Sequence, residues 1–285
     1  MLFLYFLLLL CPELILNIRR IQNGGVIMKR LTPAERLIVA ADFKPLLGGW
    51  PGEDSPDSIH HDWRRRWVRL QVLELADNLK GTGVYIKINS ALRACGYDLI
   101  GEIQSRGLRV FADLKLIDIG ETLSTDGVLL KEAKPELLTT VCVAGVAAMR
   151  VLKAELPDTE VLGVTVLTNL KDADTQAMFT CSTEEAVMRF AQVAADAKID
   201  GLISSPKEVR VLRAKFGLVL SLNTPAIRPT WAIVPGDDQN PERIMTPTKA
   251  IKAGADRIVV GRPIVKAEKP YDAVMRTIEE ISNAL

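Results

Sequence analysis

From Leu37 onward, short runs rich in β-branched residues alternate with longer stretches whose apolar positions recur at helical spacing. Eight such runs stand out: LIVAAD (37–42), GVYIKI (83–88), LRVFAD (108–113), ELLTTVCV (136–143), VLGVTVLT (161–168), DGLISS (200–205), LVLSLNT (218–224) and DRIVVG (256–261). Between them lie amphipathic stretches such as WVRLQVLELADNL (67–79), ALRACGYDLIGEIQ (91–104) and EEAVMRFAQVAADA (184–197), which read as helices. Strand and helix in strict alternation predict an α/β protein with a parallel sheet. Eight units in about 250 residues fit a closed (β/α)8 TIM barrel. A doubly wound open sheet is the alternative, but no G-x-G-x-x-G follows the first run, which removes the usual dinucleotide argument for it.

In a parallel barrel the chemistry gathers at the carboxyl ends of the strands. Asp42, Lys87, Asp113, Thr168, Ser204, Thr224 and Arg262 all fall at or just past such ends. Any one of them could cap the following helix, but seven around one ring point to a site.

The densest charge is in DLKLID, from Asp113 to Asp118. Strand periodicity puts Asp113 and Lys115 on one face, aimed into the barrel mouth, with Asp118 on the loop beyond. The pattern D-x-K-x-x-D alone arises by chance in roughly one chain in twenty of this length. Its setting says more, because Lys115 and Lys87 both sit in apolar strands, where an unpaired ammonium is costly to bury. A Lys–Asp–Lys–Asp array would pair those charges. The bland alternative is exposed charges or a structural ion-pair network. A second group of motifs lies towards the carboxyl end: TPAIRP (224–229), DDQ (237–239), MTP (245–247) and IVVGRPI (258–264). There Gly261 lets a ligand approach the backbone, and Arg262 offers a planar donor fork suited to phosphate.

Composition narrows the partners. The 285 residues carry 36 basic and 35 acidic side chains, a net charge of +1, so there is no electrostatic footprint for nucleic acid or an anionic membrane. Cys11, Cys95, Cys142 and Cys181 lie far apart without a C-x-x-C pair, indicating neither zinc site nor disulfide framework and fitting a reducing cytoplasm. The two histidines, His60 and His61, are adjacent in a polar stretch that reads as a solvated loop rather than a metal or triad site. No metal site is expected.

The apolar run Leu2–Leu10 is broken by Pro12 and Glu13, short of the roughly 20 residues a bilayer span requires, and it lacks the features of a secretory signal. Met28, followed by Lys29 and Arg30, is the expected true start, which makes residues 1–27 an extension from a misassigned codon and residues 28–285 a single barrel domain.

Taken in order, these motifs resemble the orotidine 5'-monophosphate decarboxylase family: an Asp closing strand one, a Lys in strand two, D-x-K-x-x-D-I after strand three, T-P-x-I-R-P after strand seven, and D-D-Q, M-T-P and V-V-G-R-P-I at the end. The likeness spans about residues 36 to 282. It implies decarboxylation of orotidine 5'-monophosphate to UMP and CO2, the last step of de novo pyrimidine nucleotide synthesis, without a cofactor. It further implies that Asp42 and Lys87 hold the ribose hydroxyls, that Asp113 lies against the substrate carboxylate, and that Lys115 delivers a proton to C6. Asp118, with Ile119 and Thr122, would reach the neighbouring subunit's site in a homodimer. Thr168 would contact the pyrimidine and Pro225 would close over the base, while Arg228, Gln239, Gly261 and Arg262 resemble a phosphate grip. Three departures stand out: Ala226 where the family usually has Gly, Asn169 where Ser is common, and extra chain at Gly48–Asp62. A related branch of sugar-phosphate decarboxylases and aldolases shares D-x-K-x-x-D but uses Mg2+, with an acidic residue where this chain has Lys87. A catalytically dead barrel acting as a binding module is a reading of another class, which intact Asp113, Lys115 and Asp118 oppose.

Overall fold

A computed structural model describes residues 31–45, 60–232 and 245–285, and everything below concerns those residues. The amino-terminal extension, most of the extra chain after the first strand, and Gln239 lie outside them. Eight parallel strands close into a barrel in sequence order: β1 (Leu37–Ala40), β2 (Tyr85–Ile88), β3 (Arg109–Leu116), β4 (Leu137–Val141), β5 (Glu160–Val164), β6 (Gly201–Ile203), β7 (Ser221–Thr224) and β8 (Arg257–Val260), with β8 pairing back onto β1. This is the expected (β/α)8 barrel, and the open sheet is excluded because both edges are paired.

The helices follow the amphipathic stretches: α1 (His60–Asn78), α2 (Ser90–Cys95), α3 (Asp98–Gln104), α4 (Gly120–Ala133), α5 (Gly145–Glu155), α6 (Asp172–Phe179), α7 (Thr183–Ala197), α8 (Val209–Phe216), α9 (Pro247–Ala253), α10 (Arg262–Val265) and α11 (Pro270–Ser282). Their boundaries have local causes. The Ser182 hydroxyl accepts the Glu185 amide at 3.2 Å to start α7, and Thr246 accepts the Lys249 amide at 3.3 Å ahead of Pro247 to start α9. One correction concerns 91–104, which forms two helices. Gly96, at φ +85°, takes a backbone conformation disfavoured for other residues and breaks the stretch. A second concerns His60 and His61, which open α1 instead of lying in a loop.

The strand alternation sorts the barrel interior into tiers. At the amino-terminal end, Arg257 of β8 makes a two-pronged ion pair with Glu160 of β5, at 2.9 and 2.7 Å, and lies 5.3 Å from the Tyr85 ring. Above it, Ile38, Ala40, Phe111, Leu137, Leu162, Ile203 and Val259 form an apolar middle tier. One step further along the same strands, the inward positions become Asp42, Lys87, Asp113 and Thr139. A larger cluster between strands and helices, including Val39, Ile86, Val110, Leu202 and Ile258, seals the outside of the barrel. The polar top tier therefore rests on a rigid apolar floor.

Candidate active site

Lys87 of β2 is 8% exposed and donates from Nζ to both oxygens of Asp42, each at 2.9 Å, and to Asp113 Oδ2 at 3.3 Å. Lys115 Nζ meets both Asp113 oxygens at 2.7 Å. The four groups thus form a continuous chain, Asp42–Lys87–Asp113–Lys115, across three neighbouring strands. Burial pushes the Asp113 carboxyl up. The Lys87 and Lys115 ammonium groups, with hydrogen bonds from Lys115 and Thr139, outweigh it and hold Asp113 below the usual carboxylate range.

Asp113 and Lys115 share a side, as strand alternation predicts, but their aim is set by an irregularity that alternation does not show. The β3–β4 ladder runs in register to Ala112 opposite Leu138, then resumes at Leu116 opposite Thr140, so four steps on β3 face two on β4. The excess is a bulge containing Lys115, whose φ of +51° places a non-glycine residue in the left-handed region, at a cost of about 1–2 kcal/mol. Side chains hold the bulge: Arg93 donates to the Leu114 carbonyl at 2.6 Å, the Lys115 amide donates to Thr139 Oγ1 at 2.9 Å, and Thr140 Oγ1 donates to the Leu116 carbonyl at 2.9 Å. Backbone strain kept in place by so many partners is characteristic of a site where aim matters.

Over this array opens a cavity of about 450 Å³, large enough for a mononucleotide-sized ligand. Asp42, Lys87, Asp113, Lys115, Thr168, Pro225, Arg228, Gly261 and Arg262 line it, above a floor of Ala40, Phe111, Val164, Ile203 and Val259. The charged array occupies one side, and Gly261 and Arg262, just past β8, bring a donor fork and an unobstructed backbone to the same space. Thr168 lies on an exposed turn, because β5 ends at Val164, four residues earlier than the apolar run suggests. Ser204 also lines the cavity, whereas Thr224 is buried outside its lining.

Asp118 and Thr122 stand apart. Both are exposed around the start of α4 and neither lines the cavity of its own chain. Asp118 Oδ1 accepts the Ile119 amide at 2.7 Å, and its charge, added to burial, raises the carboxyl of Asp126 one helical stretch away.

The sequence model of the orotidine 5'-phosphate decarboxylase / HUMPS family matches residues 35–277, the whole barrel. The chain belongs to that family. It is 36% identical over 218 residues to the orotidine 5'-phosphate decarboxylase of Saccharophagus degradans, covering 74% of this chain and 90% of that protein. To the orotidine 5'-phosphate decarboxylase of Syntrophus aciditrophicus it is 37% identical over 229 residues, covering 77% and 87%. The crystal structure of the orotidine 5'-phosphate decarboxylase from Lactobacillus acidophilus has a TM-score of 0.65 with this chain, covering 87% of it and 99% of the other at 24% identity, a likeness of fold.

Membership in the orotidine 5'-phosphate decarboxylase / HUMPS family gives the departure at Ala226 a physical meaning. Its φ of +62° lies where glycine is at ease and alanine is not, so this chain carries backbone strain at the position where the resemblance leads one to expect glycine. Sequence reasoning passed over Thr139, the apolar floor and Arg93. A threonine or valine in a β-branched strand carries no mark separating a site role from ordinary strand propensity.

Proposed function

We propose that Lys115 delivers the proton to C6 in the reaction this chain carries out, the decarboxylation of orotidine 5'-monophosphate to UMP and CO2. The observation that carries the reading is the Lys115 ammonium held 2.7 Å from both oxygens of a buried, ionised Asp113 at the edge of the cavity. When the bond from C6 to the carboxylate breaks, its electron pair stays on C6 and CO2 leaves. A fixed ammonium aimed at that carbon stabilises the charge as it develops, then protonates it and is reprotonated from solvent. Asp113, lying against the substrate carboxylate, repels it in the ground state, and loss of neutral CO2 relieves that repulsion.

Asp42 and Lys87 hold the ribose hydroxyls, Thr168 meets the pyrimidine, and Pro225 closes over the base. Arg228, Gln239, Gly261 and Arg262 grip the phosphate, supplying binding energy remote from the reacting carbon. The working unit is a homodimer in which Asp118, Ile119 and Thr122 complete the neighbour's site. Its support is the exposure of Asp118 away from its own cavity, next to exposed Ile117, Ile119, Val128 and Leu129 on the same connection and helix. The protein works in the cytoplasm without nucleic-acid or membrane partners. Cys95, Cys142 and Cys181 are free thiols, and no helix among the described residues is long and apolar enough to cross a membrane.

The chemistry needs no metal. Lys87 Nζ sits between the Asp42 and Asp113 carboxylates, where the Mg2+-dependent branch would place a cation between acidic ligands. Turnover, followed by loss of orotate absorbance, is expected to proceed at the same rate after exhaustive EDTA treatment. Loss of turnover that Mg2+ restores would assign the chain to the metal-assisted sugar-phosphate branch.

A further inference from the structure

Thr139 of β4 is fully buried and does not line the cavity, yet its one hydroxyl touches both members of the Asp113–Lys115 pair. Oγ1 accepts the Lys115 amide at 2.9 Å and lies 2.9 Å from Asp113 Oδ1. The direction of both bonds follows from valence. A backbone amide can only donate, so the hydroxyl receives it on a lone pair and has its proton free for the carboxylate.

The position of this hydroxyl in the ladder explains its use. Asp113 lies one step beyond the last regular pair, Ala112 opposite Leu138, and the bulge then lifts Lys115 out of the β3–β4 ladder until Leu116 meets Thr140. The Lys115 amide has therefore left its strand partners at the residue whose backbone is strained, with φ at +51°. Thr139 supplies the replacement acceptor, and the same atom fixes one oxygen of Asp113, whose other oxygen faces Lys87.

We propose that Thr139 is a positioning residue that pins the β3 bulge and orients Asp113 and Lys115 as one unit towards the reacting carbon. The inference rests on the reading of Lys115 as proton donor. It adds that the aim of the ammonium depends on a buried hydroxyl in the next strand. Since the phosphate grip lies beyond the array, misaiming should appear in the chemical step more than in binding.

The test compares Thr139→Val and Thr139→Ser with wild type and Lys115→Ala, measuring kcat, KM for orotidine 5'-monophosphate, the Kd of UMP, and Tm. Valine keeps the shape and removes both hydrogen bonds. It is expected to lower kcat about 100-fold, the scale of a misplacement of about 1 Å, with KM and the UMP Kd within about threefold of wild type. Serine keeps the hydroxyl without the methyl and is expected to restore kcat to within about tenfold of wild type, even if Tm falls. The proposal is overturned if folded Thr139→Val turns over at the wild-type rate, or if Thr139→Ser loses as much activity as Thr139→Val, since packing and not the hydroxyl would then matter. Should valine prevent folding, the serine variant decides: near wild-type kcat upholds the proposal and a 100-fold loss overturns it. Should Lys115→Ala remain active, it is the proton-donor reading that fails.

Discussion

Lys115→Ala is expected to lower kcat by about 10⁴-fold or more, because one side chain supplies both the charge that stabilises the C6 carbanion and the proton that quenches it. Folding should survive. Lys115 is partly exposed, and Asp113 retains Lys87 and the Thr139 hydroxyl as partners, so no buried charge is left alone. UMP should still bind, since Arg228, Gly261 and Arg262 line the cavity beyond the array. A folded, UMP-binding variant that keeps kcat within about tenfold of wild type would contradict the assignment, because general acid catalysis alone is worth more than that.

The second large effect is a gain. In the proposed dimer Lys115 and Asp118 of each complete site come from different subunits, a reading supported by Asp118 being exposed and not among the residues that line its own cavity, whereas Lys115 is. Lys115→Ala and Asp118→Ala homodimers should each be nearly inactive. After subunit exchange, a heterodimer holds one site lacking both groups and one site with both intact. Random pairing makes about half the dimers mixed, so roughly a quarter of all sites should recover. Heterodimers verified by native mass spectrometry that remain inactive would show that Asp118 acts within its own subunit.

The barrel was readable in the sequence because a parallel strand buried on both faces is a near-continuous apolar run, and eight such runs occur. Their ends were less readable. The run 161–168 continues apolar past the end of β5 because Val166 is buried against the core in the following bend, while the strand stops at Val164. Gly96 broke a helical pattern that apolar spacing alone carried through. The charged residues were legible because ionised side chains in apolar strands are conspicuous. The geometry behind them was not, since strand alternation pointed Asp113 and Lys115 the same way without the bulge that sets their aim. A bulge is a property of the paired strand as much as of its own, and Thr139, far away in sequence, gave no sign of its part in it.

The central claim, that Lys115 exchanges a proton with C6, is tested most directly in the reverse sense on the product. A group that protonates C6 must also be able to remove that proton. UMP held with excess wild-type protein in D2O should lose its C6 proton signal in the NMR spectrum faster than in a protein-free control, while Lys115→Ala, still binding UMP, should leave the signal at the control rate. Exchange by the Lys115→Ala variant as fast as wild type would contradict the account.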